Sequence, residues 1–165
     1  MTGAVGVGKT TVAYEVRLRL AAAGVRHVMI DDEFALFHPR AHNDSRGERV
    51  RTDALRALWS VYANEGIDRL VLSRVVESPE DLARIRSAIP DAEIQVFWLV
   101  ASLETLAERI RGKGVPTAQA WCLQRAVELL EVWDARPLDA TIIDASTRDP
   151  TDIAAEIVTK SGWPA

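Results

Sequence analysis

With 165 residues, 48% hydrophobic and 27% charged, the chain has the composition of one globular domain, which excludes a disordered or fibrous polymer. A net charge of −4 gives no basis for nucleic acid as a partner, and no apolar run is long enough to span a bilayer. The lone Cys122 excludes an internal disulfide and a thiolate metal cluster. No signal-peptide pattern follows Met1, so the cytoplasm is the expected compartment.

In chain order, Gly3 to Thr10 (GAVGVGKT) has glycine-rich spacing and runs into a helix expected over Thr10 to Ala23. Val12, Val16 and Leu20 share one face of that helix, and Gly24 ends it. His27 to Ile30 reads as a short strand closing on Asp31 and Asp32, and a polar loop follows. Val50, Ala54, Leu58 and Val61 or Tyr62 mark a second amphipathic helix that stops near Gly66. A strand starts at Leu70 and runs towards Val76, and Pro79 suits the first turn of a helix carrying Leu82, Ile85 and Ile89. Ile94 to Val100 is an apolar stretch of strand length, suited to a parallel strand covered on both faces. Ser102 caps a helix reaching Arg111, a basic loop leads to Pro116, and a long helix carries Trp121, Arg125, Leu129 and Trp133. Thr141 to Ile143 is the last strand and Thr151 to Lys160 the last helix.

Strand alternating with helix implies a parallel sheet with helices on both faces, in one α/β domain over residues 1–165. Ligands of such sheets bind beyond the carboxyl ends of the strands, where Gly3, Asp31 with Asp32, and the segment after Ile143 should converge.

The spacing G-x-x-x-x-G-K-T is that of a phosphate-cradling loop. Gly3, Gly6 and Gly8 permit close backbone approach, so that main-chain N–H groups of Val5, Gly6, Val7 and Gly8 can turn towards phosphate oxygens. The helix starting near Lys9 adds its positive dipole end. Lys9 reaches the β- and γ-phosphates, the Thr10 hydroxyl ligates Mg²⁺, and Thr11 is placed to donate to the α-phosphate. Such a loop ordinarily follows a buried strand, yet only Met1 and Thr2 precede Gly3. The expectation is that the central strand is supplied by roughly five to ten further residues upstream.

These motifs, in order, resemble the nucleoside and small-molecule kinase group of P-loop proteins, which includes shikimate, gluconate, adenylylsulfate and adenylate kinases. The resemblance runs from Gly3 to about Ala155 through GAVGVGKTT, MIDD, VFWLVASLETLAERIRGK and TIIDAS. It implies a three-layer P-loop domain with strand order like 2-3-1-4-5, a short lid at about 111–120, and transfer of the γ-phosphate of ATP with Mg²⁺ to a small-molecule or nucleoside-type acceptor. An acid after the second strand would orient the acceptor hydroxyl and touch the metal. Here the run is Asp31-Asp32-Glu33, with Asp32 slightly favoured as base and Asp31 as a metal ligand. Arg109, Arg111, Lys113 and Arg125 would flank the lid, with Arg109 and Arg125 over the transferring phosphate, and Arg148 would lie where adenine rests.

Arg74 interrupts an apolar strand and is expected at its open end, facing an anionic or polyhydroxylated acceptor or pairing with Glu77. Arg40 lies in a stretch, His38-Pro39-Arg40 to Asn43, faintly like the substrate loop of gluconate kinases; with Arg46, Arg49 and Arg51 it is either an anion site or part of a solvated face. No Asn-Lys-x-Asp signature supports a GTPase, and the strand LVLSRVVE lacks the aspartate of ring-forming ATPases. The alternative is a regulatory module that holds ATP without transferring phosphate. A monomer or homodimer is expected in either case.

Overall fold

Glycine, proline and serine punctuate the elements much as the sequence suggests. The computed structural model describes residues 1–32, 45–112, 116–135 and 137–164, with only the main chain of Ser45, Arg46 and Thr117. Among the described residues, strands β1 (Thr2–Gly3), β2 (Val28–Asp31), β3 (Leu70–Ser73), β4 (Phe97–Val100) and β5 (Thr141–Asp144) are connected and followed by six helices, two of them between β4 and β5. The helices are α1 (Lys9–Ala22), α2 (Ser45–Asn64), α3 (Pro79–Ala88), α4 (Leu103–Arg111), α5 (Pro116–Ala135) and α6 (Pro150–Ser161). Among the described residues, three start on side-chain caps: Ser78 accepts from the Asp81 amide, Ser102 from Thr105, and Asp149 from Thr151. Pro79 and Pro150 occupy first turns, where no amide partner is lost.

All pairings are parallel. β4 lies between β1 and β5, with Gly3 opposite Leu99 and Leu99 opposite Ile143. β2 pairs with β3 from Val28 opposite Leu70 to Asp31 opposite Ser73. Met1 joins the two pieces: its ammonium donates to the Leu72 carbonyl at 2.6 Å, and its carbonyl accepts from the Arg74 amide at 3.1 Å. The order across the joint is therefore β2-β3-β1-β4-β5, as the resemblance implies. The central strand is represented by the Thr2–Gly3 stub alone.

The carboxyl ends of all five strands reach one edge. There Thr2, fully buried, accepts from the Val76 amide through its hydroxyl at 2.9 Å and carries the pairing of β3 past Ser73. The core is built on Leu99, Ile143, Leu106, Leu129 and Trp133; α1 buries Val12, Val16 and Leu20 and packs against α6. Trp133 on α5 tilts against Trp98, with 5.3 Å between ring centroids, and its indole N–H donates to the Val76 carbonyl. That contact sets α5 over the segment after β3.

One expected face is corrected. On α2, Val50, Leu58 and Val61 are exposed, Val61 at 62%, while Thr52 and Leu55 are buried and Trp59 is half-buried. The inward stripe continues through Glu48 and Arg51, which hydrogen-bond one another at 2.9 Å. The side that points in is partly charged, so apolar periodicity marks the outer side. No helix among the described residues is long and apolar enough to cross a membrane.

Candidate active site

The phosphate loop hangs between the β1 stub and α1. Gly6 (φ 85°) and Gly8 (φ 103°) adopt left-handed backbone that other residues rarely take. A Cβ on Gly6 would also lie 2.8 Å from Cγ1 of Ile110, so the loop needs glycine for space as well. Gly8 is the N-cap of α1, whose first turn carries no acid. The first amides of a helix have no intrahelical partners, and with the dipole they form an anion-binding end. The Val7 amide turns back to the Ala4 carbonyl at 3.2 Å. Lys9 is only 4% exposed, and its ammonium lies 3.3 Å from the same carbonyl. Thr10 and Thr11 are exposed on the first turn, and Val5 is half-buried in the loop.

Asp31 ends β2, and Asp32 follows it into a buried ion cluster. Asp32 Oδ2 lies 3.1 Å from Arg51 Nη2 and 3.0 Å from Arg74 Nη1. Arg74, 2% exposed, donates through Nη2 to Glu48 at 2.7 Å. Its contact with Asp32 is an ion pair without hydrogen-bond alignment. The Nε atoms of Arg51 and Arg74 are buried with no hydrogen-bond partner among the described residues. Burial pushes the Asp32 carboxyl above its ordinary pKa, against the opposing pull of Arg74 and Arg51. Burial, with Arg51 beside it, lowers that of Arg74. The acid expected at this edge is thus enclosed between two guanidinium groups, and Arg74 pairs with Asp32 and Glu48 instead of Glu77.

Glu77 instead pairs with Arg125 of α5, which also reaches Glu128 at 3.2 Å. Arg109 donates to the carbonyls of Val7 at 3.1 Å, Ala145 at 2.8 Å and Ser146 at 3.0 Å. It thereby ties α4 to the phosphate loop and to the loop after β5, without pairing with Glu104 or Glu108. Arg148 pairs with Glu156 on α6 at 2.6 Å. Arg40, Glu33 and Lys113 lie outside the described residues.

Glu48 was not singled out by the sequence reading, although it links Arg51 and Arg74. The available signal was its spacing three residues before Arg51 on a helix. Trp133, which holds the Val76 carbonyl, carries no polar motif that would reveal it.

No curated protein matches this sequence. Solved structures share its fold across nearly its whole length. The tunicamycin resistance protein of Deinococcus radiodurans superposes with a TM-score of 0.64 at 21% identity, covering 98% of this chain and 93% of that one. The APS kinase CysC of Mycobacterium tuberculosis, solved in complex with AMPPNP and APS, gives 0.59 at 16% identity, covering 98% and 94%. A gluconokinase from Sinorhizobium meliloti 1021 gives 0.56 at 22% identity, covering 96% and 87%. The model of one family, described as the AAA domain, matches residues 1–144, from the β1 stub to the end of β5. The chain therefore belongs to that AAA-domain family and has the three-layer α/β fold of the P-loop kinases it superposes on.

Proposed function

We propose that the chain is an ATP- and Mg²⁺-dependent phosphotransferase acting on a small-molecule acceptor. The observation that carries this reading is the pairing of two features on one sheet edge. One is a glycine-built cradle closed by the buried Lys9, and the other is the Asp32–Arg74–Arg51–Glu48 cluster at the ends of β2, β3 and α2. Cradle residues Val5, Gly6 and Gly8 hold the phosphates through main-chain amides, the Val7 amide being turned to the Ala4 carbonyl, with Thr11 on the α-phosphate. Lys9 neutralises charge on the β- and γ-phosphates.

The donor set suits Mg²⁺: the exposed Thr10 hydroxyl and the Asp31 carboxylate are both oxygen ligands, which a hard cation prefers. When bound, the metal would offset negative charge on the transferring group. Asp32, with its pKa raised by burial, is the stronger base of its type and accepts the acceptor's hydroxyl proton. The guanidinium groups of Arg51 and Arg74 beside Asp32 suit an acceptor rich in oxygen, either anionic or polyhydroxylated. Arg148 serves the base end of the nucleotide and Arg109 holds both loops around it, while Arg40, expected to contact the acceptor, lies outside the described residues.

Two superposed structures are of proteins named as kinases, one of them solved with AMPPNP and APS, and this supports the reading by analogy of fold. The test is incubation with γ-labelled ATP, Mg²⁺ and a panel of hydroxylated and anionic metabolites. Label should appear on an acceptor. Its release only as free phosphate, or not at all, contradicts phosphotransfer and favours a module that only holds nucleotide.

A further inference from the structure

The cluster beside Asp32 already contains the anion that its arginines would otherwise recruit. Its contacts form a closed ring of alternating charge. Asp32 Oδ2 accepts from Arg51 Nη2 at 3.1 Å and lies 3.0 Å from Arg74 Nη1. Glu48 accepts from Arg51 Nη1 through Oε1 at 2.9 Å, and from Arg74 Nη2 through Oε2 at 2.7 Å. Each guanidinium thus meets both carboxylates, and the four charges cancel. Two further carboxylates belong to the same region: Asp81 acts on Arg74 through space, and Asp31 immediately precedes Asp32. The arginine contacts of Asp32 both fall on Oδ2, which leaves Oδ1 as the oxygen to take a proton.

We propose that Glu48 sets the acceptor class, so that the site takes a neutral, hydroxyl-bearing molecule and turns away carboxylates, sulfates and phosphates. The inference rests on the phosphotransferase reading above and chooses between the two acceptor chemistries that reading allows. An anionic acceptor that displaced Glu48 would leave a carboxylate only 15% exposed without its partners, which is costly. Glu48 also rides on α2, three residues before Arg51. A carboxylate held in place in this way outcompetes a free anion at millimolar concentration by orders of magnitude. An anion added without displacement would bring a third negative charge to two positive ones, in a buried setting where like charges repel strongly. A hydroxyl meets neither cost, because it donates to Asp32 Oδ1 and leaves the ring closed. As its oxygen bonds to the γ-phosphorus of ATP, the bond to the bridging oxygen breaks, ADP leaves and the hydroxyl proton passes to Asp32.

The test offers γ-labelled ATP and Mg²⁺ with matched acceptors. Hexoses, sugar alcohols and nucleosides form one set; aldonates, sugar phosphates and nucleoside monophosphates of the same skeletons form the other. Labelled product should form at least tenfold faster from the neutral set. In Glu48→Gln two arginines face one carboxylate, and the ratio should move towards the anionic set by roughly tenfold or more. Asp53→Asn, an equal loss of charge on the exposed side of α2, should leave the ratio unchanged. Sulfate gives a second readout that needs no turnover. The phosphate loop should bind it in both proteins, and Glu48→Gln alone should gain an additional site, at least about tenfold tighter than any second site of the native protein. The double variant Glu48→Gln/Arg51→Gln, which loses one charge of each sign, should lack that gain. If Glu48→Gln does not fold, the native ratio decides the acceptor class alone. Anionic acceptors labelled as fast as neutral ones by the native protein, or a Glu48→Gln protein with native ratio and native sulfate binding, would overturn the proposal and leave phosphotransfer standing. Label on no acceptor of either set would overturn the phosphotransfer reading itself, and the acceptor assignment with it.

Discussion

Asp32 holds two arginines with one carboxylate, and its substitution has consequences that a solvated acid would not show. Replacing one partner in a buried ion cluster leaves charge without compensation, at a cost of about 3 kcal/mol. Asp32→Asn should therefore lower stability to urea by that order, keep ATP affinity, and lose phosphotransfer. Unchanged stability would contradict the buried cluster, and unchanged transfer would remove Asp32 as the base. Gly6→Ala makes a separate point about the cradle. It forces left-handed backbone on alanine and brings a Cβ against Ile110, so a loss of about 1–3 kcal/mol is expected, with weakened nucleotide binding. Wild-type behaviour in thermal melts with and without ATP would show that the loop has another shape.

At the scale of elements, α4 works through Arg109. Three main-chain carbonyls on two loops share its guanidinium, and hydrogen bonds to charged groups contribute about 1.5–3 kcal/mol each before losses to solvent. Arg109→Ala should cost about 2–3 kcal/mol in denaturant unfolding and weaken ATP binding, with Arg109→Lys recovering part of both. Loss of turnover with stability and binding intact would instead place Arg109 on the transferring phosphate. The sequence exposed the order and kind of nearly every element, because caps, prolines and apolar runs act locally. It misplaced the inner face of α2, since Glu48, Arg51 and Thr52 point inward to serve Arg74 and Asp32. Hydrophobic periodicity cannot register a buried face that is charged. The partners of Arg74 lie 42 and 26 residues away in the chain, so only the fold could name them. The phosphate loop was legible because all its parts are adjacent in sequence.

At the scale of the whole molecule, a chain that begins at Met1 should carry a pH signature centred on its α-amine. In the folded state its amine has a pKa of about 5, against 8.0 for the ordinary value. Between these limits the unfolded chain holds a proton that the folded one lacks, so stability rises with pH across roughly 5 to 8 and this contribution is flat outside. The amplitude is on the order of a few kcal/mol. Urea unfolding at pH 6 and pH 8 should show it for a chain starting at Met1, and acetylation of the α-amine should flatten the difference. An equal slope in the acetylated protein would show that the amine is not buried.

All of the proposed chemistry requires that the cradle between β1 and α1 bind a nucleoside triphosphate. Isothermal titration of the folded protein with ATP and Mg²⁺ measures that directly. The account predicts one site per chain, with affinity reduced at least tenfold in Lys9→Ala. No heat with the intact protein, or equal affinity in the Lys9 variant, would contradict it.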